Sequence, residues 1–399
     1  MSWETVTVEE QKKRFINDWL LNYFSISDLA NRFSISRKTA HKWINKFKEG
    51  GYPGLRDLPR TPHSCSHATP EYIVHELITQ KEKHPSWGPR KLLKKISDTY
   101  PNWDLPADST VSRILDKHGL VTHRKNYRRL HPGCPMSQAN EPNDIWATDY
   151  KGQFRLKDSS YCYPLTTSDL NSRMLLLCSG HPHVSLELSK ECFISLFRKY
   201  GLPKRMRSDN GVPFASNAIA RLSKLNVFFI KQGIYPELIE PGKPQQNGIH
   251  ERMHRTLKQD ATIPPSQNLK SQQRRFDRFI HEFNYERPHE SLGMKTPAEV
   301  YHRSSREYIE NPPIYDYPSH FLVRRVSHSG TVRCFVDQFY LSSTLVEEYV
   351  GFEEIDDDIF DVFFCFYLIG RYNHRKKRLE EVISRSTQYV SSKYINRKV

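Results

Sequence analysis

The sequence predicts a multidomain α/β protein: N-terminal helix-turn-helix modules, a central mixed α/β core and a small C-terminal β-domain. Three observations lead there. At 399 residues the chain is too long for one ordinary domain, and 37% of it is hydrophobic, enough for several cores. Helical periodicity with Ser-rich caps fills the N-terminal third, whereas strand-like texture sets in at Asn143. Beyond Pro312 the remaining segments read as strands.

Residues 9–23, EEQKKRFINDWLLNY, carry Phe15, Ile16, Trp19, Leu20 and Tyr23 at helical spacing. Ser25-Ile26-Ser27 caps a short helix, DLANRF, and Ser34-Ile35-Ser36 caps a longer one, RKTAHKWINKFKEG, which stops at Gly50-Gly51. Helix, short turn and a helix opening Arg-Lys-Thr is the layout of a helix-turn-helix. Its inner face is Ala40, Trp43, Ile44 and Phe47. Arg37, Lys38, Thr39, His41, Lys42 and Asn45 face outward, where a recognition helix meets a DNA major groove. A basic solvated face has the same composition; the Ser-Ile-Ser turn favours DNA binding. Residues 1–54 thus form a first module, and 55–69, rich in Pro, Arg, Ser and His, a linker. A second, winged-helix-like module covers 70–125. It comprises helices at 71–84, at HPSWGPRKLLKKI and at 109–118 with Ser109 as cap, and its candidate DNA contacts are Arg90, Lys91 and Arg113. Residues 126–142 form another linker.

Within 143–305, WATDYKGQFRL, YCYPLTTSDL and MLLLCSG read as strands, and 187–200 as a helix ended by Gly201. KRMRSD reads as a short strand, 217–225 as a helix and NVFFIKQG as a strand. A loop, PELIEPGKPQQNG, leads to a helix over 248–261 and another over 272–284. A hairpin followed by alternating strands and helices indicates a mixed sheet. SHFLVRRVSHSG, TVRCFVDQFYLS, FEEI and DVFFCFYLIGRY make a β-rich, basic domain of 315–399.

The chain has 60 Lys and Arg against 45 Asp and Glu, a net charge of +15, which points to a polyanionic partner such as nucleic acid. Residues 1–140 hold 23 basic and 14 acidic side chains, and 371–399 nine and two, so the surplus lies at both ends. Seven scattered cysteines without Cys-x-x-Cys argue for a reducing compartment and against a structural zinc finger. The N-terminus does not resemble a signal peptide, and the most apolar run, 359–370, is too short to span a membrane. A cytoplasmic protein with no membrane partner is expected, nucleoid-associated if it is bacterial.

Three carboxylates stand out. Asp149 lies in the first core strand, Asp209 ends KRMRSD before the tight turn Asn210-Gly211, and Glu251 opens a helix. Acids from neighbouring strands and a helix can converge on one point. Crowded anions repel unless cations neutralise them, and oxygen ligands favour Mg2+ or Mn2+. Two such ions, about 4 Å apart, can activate an attacking oxygen and stabilise a leaving one at a phosphodiester. Taken singly, each acid could equally be an ordinary strand-end or helix-start residue.

WATDYKGQF, RSDNGVPFAS and PGKPQQNGIHERMHRTLK resemble the three catalytic blocks of bacterial insertion-sequence transposases of the DDE type, with a retroviral-integrase-type core. FNYERPHESLGMKTPAEVY and HPSWGPRKL resemble the same family, so the likeness spans nearly the whole chain. The resemblance implies an RNase H-like core whose catalytic, metal-binding triad is Asp149, Asp209 and Glu251, and a homo-oligomer acting on double-stranded DNA at element ends and target. It also implies two chemical steps. Water first cleaves the strand at the element's end, and the freed 3′-OH then attacks target DNA. Between Asp209 and Glu251 lie 41 residues, more than retroviral integrases place there, and the excess fits 215–240. Arg255 and Lys258 share the helical face of Glu251 and could hold a DNA backbone. Lys243, Gln245 and Gln246 are the candidate DNA contacts in the loop 241–248.

Two other readings compete. His250-Glu251-Arg252-Met253-His254 matches His-Glu-x-x-His, the zinc-peptidase helix. Its flanks are basic rather than apolar, no further ligand stands out and the Asp blocks are left unexplained. A non-catalytic DNA-binding regulator would not need all three acids. Asp169 reads as a turn residue, and the acids of 353–361 as a solvated face that can also pack against the basic tail.

Overall fold

The computed structural model describes residues 7–57, 68–121, 136–240 and 244–380. The chain divides into two units, Met1–Thr69 and Pro70–Val399.

The first unit is three helices: α1 (Val8–Leu20), α2 (Ile26–Arg32) and α3 (Arg37–Gly50). Ser25 and Ser36 cap the second and third, their side chains accepting from the Asp28 and Thr39 amides at 3.2 and 3.1 Å, as the sequence indicates. Phe15, Ile16, Leu29, Ala30, Ala40, Ile44 and Leu55 form the core.

The second unit opens with α4 (Glu71–Lys83), α5 (Pro89–Thr99) and α6 (Asp108–Lys117) around Ile73, Leu77, Trp87, Leu92, Val111 and Leu115. Ser109 does not cap α6: the helix starts one residue earlier, and Ala107 is the N-cap without a side-chain bond. The α/β core then follows. Its strands are β1 (Ile145–Tyr150), β2 (Phe154–Arg155), β3 (Tyr161–Asp169), β4 (Leu175–His181), β5 (Arg205–Ser208) and β6 (Tyr235–Leu238). Interleaved with them are helices α7 (Leu186–Tyr200) and α8 (Lys224–Lys231), and after them come α9 (Gly248–Leu257) and α10 (Leu269–His281). The sheet is mixed. β3 pairs antiparallel with β1 and β4, while β5 runs parallel to β1 and β6 parallel to β5.

Strand alternation sends successive residues to opposite faces. Trp146, Leu165, Leu176 and Met206 pack under α7 and α8 with Phe193, Phe197, Leu225 and Phe229. Leu175 and Cys178 pack on the other face against Met253, Leu257, Phe276 and Phe279 of α9 and α10. Gly201, at φ +77°, ends α7; a Cβ there would lie 2.7 Å from the backbone oxygens of Ser304 and Arg306.

Three expectations change. NVFFIKQG is not a strand but most of α8, capped by Ser223. The helix is apolar on two sides, because Leu225 and Phe229 pack on the sheet while Val227 and Ile230 pack on the β-domain, so the one-sided pattern of a surface helix is lost. Residues 217–223 hold only a 3-10 turn, Ile219–Arg221, with Ala220 and Arg221 at positive φ, and the helix expected over 217–225 starts only at Lys224. The loop before Glu251 contains a sheet strand, β6, disguised by its Pro236.

The C-terminal strands are β7 (Leu322–Arg325), β8 (Thr331–Cys334), β9 (Asp337–Tyr340), β10 (Tyr349–Asp356), β11 (Ile359–Phe364), β12 (Tyr367–Asn373) and β13 (Arg378–Glu380). β8 and β9 form a hairpin, and the others an antiparallel sheet in the order β13-β12-β11-β10-β7. Asp361 and Asp358 pair with Arg371 and Arg375 at 2.7 and 2.9 Å, so part of the acidic run does meet the start of the basic tail; residues 381–399 lie outside those described. Ile219, Leu222, Val227 and Ile230, from the stretch that exceeds the viral spacing, share one hydrophobic cluster with Val332, Val350, Phe352 and Phe364. A chain ended at Ile314 should therefore bind a hydrophobic-surface dye and unfold at lower urea than the full chain. Coincident unfolding curves would contradict this shared core.

Candidate active site

β1 lies between β3 and β5, and this fixes two of the three acids. Asp149 stands opposite Thr166 of β3, and Ala147 pairs with Arg207 of β5. Asp149 and Asp209 each lie two residues beyond that pair, Asp149 within β1 and Asp209 just past the end of parallel β5, at the same edge of the sheet. The Asp209 carboxylate turns back to accept the Gly211 amide at 3.0 Å. A Cβ on Gly211 would also approach that carboxylate to 3.0 Å, so the tight turn suits glycine.

Helix α9 brings the third acid. Met253 and Leu257 anchor it to the sheet, leaving Glu251 exposed at its first turn. His254, three residues on, lies with Nδ1 3.8 Å from Asp149 Oδ2. The electrostatics agree with this convergence. Burial, followed by the charge of Asp209 and then, more weakly, of Glu251, pushes the Asp149 carboxyl up to about 7 against the pull of Lys151. Among the described residues no three His, Cys, Asp or Glu side chains are gathered tightly enough to hold a metal ion unaided. The donor set, three carboxylates, fits a hard divalent ion that completes its shell with water and phosphate oxygens.

His250 and His254 are buried, and three of their four ring nitrogens are hydrogen-bonded. His250 Nδ1 lies 2.6 Å from Ser168 Oγ and its Nε2 2.9 Å from Thr166 Oγ1; His254 Nε2 lies 2.6 Å from the same hydroxyl. Burial lowers these imidazoles to about 3 and about 2, so both are neutral. A zinc-peptidase helix needs one free nitrogen of each imidazole turned to the same metal, and here both Nε2 atoms are turned to the Thr166 hydroxyl of β3 instead. Asp169 is fully buried and accepts from Asn143, from the Ser172 amide and from the Ser172 hydroxyl, the turn residue the sequence suggests.

The basic side chains divide. Arg255 and Lys258 are exposed on the helix of Glu251. Lys151, which sequence reasoning passed over, interacts with Asp149, Glu251 and Lys258, and burial lowers its ammonium. Its only signal was its place two residues beyond Asp149. Arg207 was also missed. Buried and paired with Glu237 at 2.7 Å, it donates to the carbonyls of Gln246 and Ser137 at 3.3 and 2.6 Å, tying the strand of Asp209 to the loop before Glu251.

On α3, Arg37, Lys38, His41, Lys42 and Asn45 are exposed, while Thr39 is half-buried with its hydroxyl 2.9 Å from Ser36 Oγ. Arg113 is exposed. Arg90, also exposed, pairs with Asp108 at 3.0 Å and Glu290 at 3.8 Å. Lys91 turns inward instead, and burial beside Arg287 lowers it to about 8. Gln246 is buried as well, its side chain clamped to Glu240 at 2.8 and 3.0 Å, so of the loop candidates Gln245 is the exposed one. Lys243 lies outside the described residues.

A helix-turn-helix domain model matches residues 11–63 and a homeodomain-like domain model 39–115. Two models described as integrase core domains match 139–244 and 232–297. An insertion element IS476 protein of 39.2 kDa from Xanthomonas euvesicatoria is 23% identical over 290 residues, 69% of this chain and 78% of that protein. The Gag-Pol polyprotein of baboon endogenous virus (strain M7) is 26% identical over 194 residues; the match takes in 48% of this chain but spans only 11% of the polyprotein. Among solved structures, the HTLV-2 integrase catalytic core domain in complex with magnesium is 17% identical, covering 41% of this chain and 100% of that one at a TM-score of 0.33. No helix among the described residues is long and apolar enough to cross a membrane. Both aspartates fall within the first integrase-core match and the glutamate within the second, so all three acids lie in the part of the chain that carries the integrase core domain.

Proposed function

We propose that this protein cleaves DNA at the ends of an insertion element and joins those ends to target DNA. The observation that carries the reading is the placing of Asp149 and Asp209 at one sheet edge with the helix of Glu251 laid over them. So costly an arrangement of like charges suits a site that neutralises them with Mg2+ or Mn2+, two ions in the fullest form. When bound, such ions supply Lewis-acid charge neutralisation at the scissile phosphate.

The chain's own residues do the rest. The outward side chains of α3 grip the element's terminal sequence, and Arg113 adds a contact from the second module. Lys151, Lys258 and Arg255 hold the phosphate backbone beside the three acids. Water adds to phosphorus as the P–O3′ bond breaks, leaving a 3′-OH on the element and a 5′-phosphate on the flank. That 3′-OH then attacks a target phosphodiester, one bond forming as one breaks, with no covalent protein intermediate. Joining two ends requires at least two protomers.

With Mg2+ and duplex DNA ending in the element's terminal repeat, the wild type should nick at the element end. Asp149→Asn, Asp209→Asn and Glu251→Gln should each still bind this DNA but cleave about 1000-fold more slowly or worse. Equal cleavage by all four proteins would overturn the assignment. Binding without cleavage by the wild type would favour a DNA-binding regulator.

The crowded carboxyl also has a stability signature. Folding raises the Asp149 carboxyl's hold on its proton, so this group's contribution is fully present below pH about 4 and is lost as the pH rises through about 7. Metal-free Asp149→Asn should be more stable than wild type at pH 8, by up to about 4 kcal/mol, with the gap closing towards pH 4. Urea unfolding in EDTA measures it, and a gap that does not change with pH would contradict the crowding.

A further inference from the structure

We propose that Thr166 is a positioning residue of the cleavage site, its hydroxyl joining β1, β3 and α9 so that Asp149 and Glu251 keep one fixed relation. This rests on the transposase reading and extends it to a residue that carries no charge.

Thr166 stands directly opposite Asp149 in the β1–β3 register. Its Oγ1 lies 3.1 Å from the Asp149 carbonyl oxygen, 2.9 Å from His250 Nε2 and 2.6 Å from His254 Nε2. A hydroxyl has one proton and two lone pairs. The carbonyl can only accept, so the proton goes there, and both imidazoles must donate from Nε2. A neutral imidazole carries a single N–H, which leaves Nδ1 an acceptor on each ring. His250 Nδ1 then takes the proton of Ser168 Oγ, at 2.6 Å. His254 Nδ1 presents its lone pair towards Asp149 Oδ2, at 3.8 Å.

Every hydrogen-bonding site of Thr166 is therefore used, and its three partners come from two other elements. Glu251 sits on the helix between the two histidines, so the helix cannot roll or slide without breaking this node. His250 is fully buried and His254 is 6% exposed, so water does not readily replace the lost bonds. The His-Glu-x-x-His spacing thus acquires a use in this fold: two imidazoles one turn apart, clamped to a single hydroxyl.

Thr166→Val keeps the shape and removes the hydroxyl, whereas Thr166→Ser keeps the hydroxyl. Cleavage of element-end DNA gives turnover and KM, and titration followed by the EPR signal of free Mn2+ gives metal affinity. Thr166→Val should lower turnover and weaken Mn2+ binding, each by about 10- to 100-fold, with KM for DNA unchanged. Thr166→Ser should restore most of both. A Thr166→Val protein with wild-type turnover and Mn2+ affinity overturns the proposal, as does an equal loss in Val and Ser. If Thr166→Val fails to fold, His254→Gln, which keeps a donor near Nε2, set against His254→Leu, which has none, makes the same comparison. Equal behaviour of that pair also overturns the node. A wild type that binds Mn2+ but never cleaves DNA defeats the transposase reading, while the Mn2+ contrast still decides the fate of the node.

Discussion

Asp149 and Asp209 repel each other at one sheet edge, with Glu251 adding a weaker repulsion, and much of the surrounding fold can be understood as what holds them there. β1 is the strand on which this depends. Its antiparallel pairing with β3 sets Asp149 against Thr166, and its parallel pairing with β5 brings Asp209 alongside. Buried Arg207, paired with Glu237, bonds the carbonyl of Gln246 and so ties the sheet to the loop before Glu251. The cost appears at Asp149, whose carboxyl holds its proton far more firmly than an exposed aspartate does. Cations relieve repulsion of this kind, which is the electrostatic ground for proposing that metal and phosphate bind here.

Around this centre the unit is tied together by contacts between segments remote in sequence. The stretch between Asp209 and Glu251 gives one side of α8 to the sheet and the other to the β-domain, so the spacing that exceeds the viral pattern is occupied by a shared core. The second helical module is joined to the core by polar contacts. His84 pairs with Glu282 at 2.8 Å, Ser86 donates to Asp260 at 2.9 Å, and Arg287 reaches both Ser86 and Asp260. Residues of HPSWGPRKL thus meet the helices beyond Glu251, and Lys91 is half-buried beside Arg287.

Much of this was legible in the sequence, because local signals carry local structure. Ser25 and Ser36 cap the helices that follow them, and the Asn210-Gly211 turn places Asp209 as expected. The misses have a common cause, contact with partners distant in the chain. α8 lost its periodicity because both sides are covered, Gln246 and Lys91 were read as exposed polar residues before their burial was known, and Pro236 hid a strand that pairs with β5. The two histidines were the hardest case. Their spacing is shared with a zinc helix, and only the hydroxyls of Thr166 and Ser168, more than 80 residues away, reveal a different use.

The central claim is that Asp149, Asp209 and Glu251 surround one cation site. Fe2+ can stand in for Mg2+, and with ascorbate and peroxide it generates radicals that cut the backbone beside a bound ion. Mapping the fragments of the full chain by mass spectrometry tests the claim directly. Cuts clustered near residues 149, 209 and 251, suppressed by excess Mg2+, are the expected result. Cuts confined to the helix of His250 and His254, with none near Asp209, would contradict it.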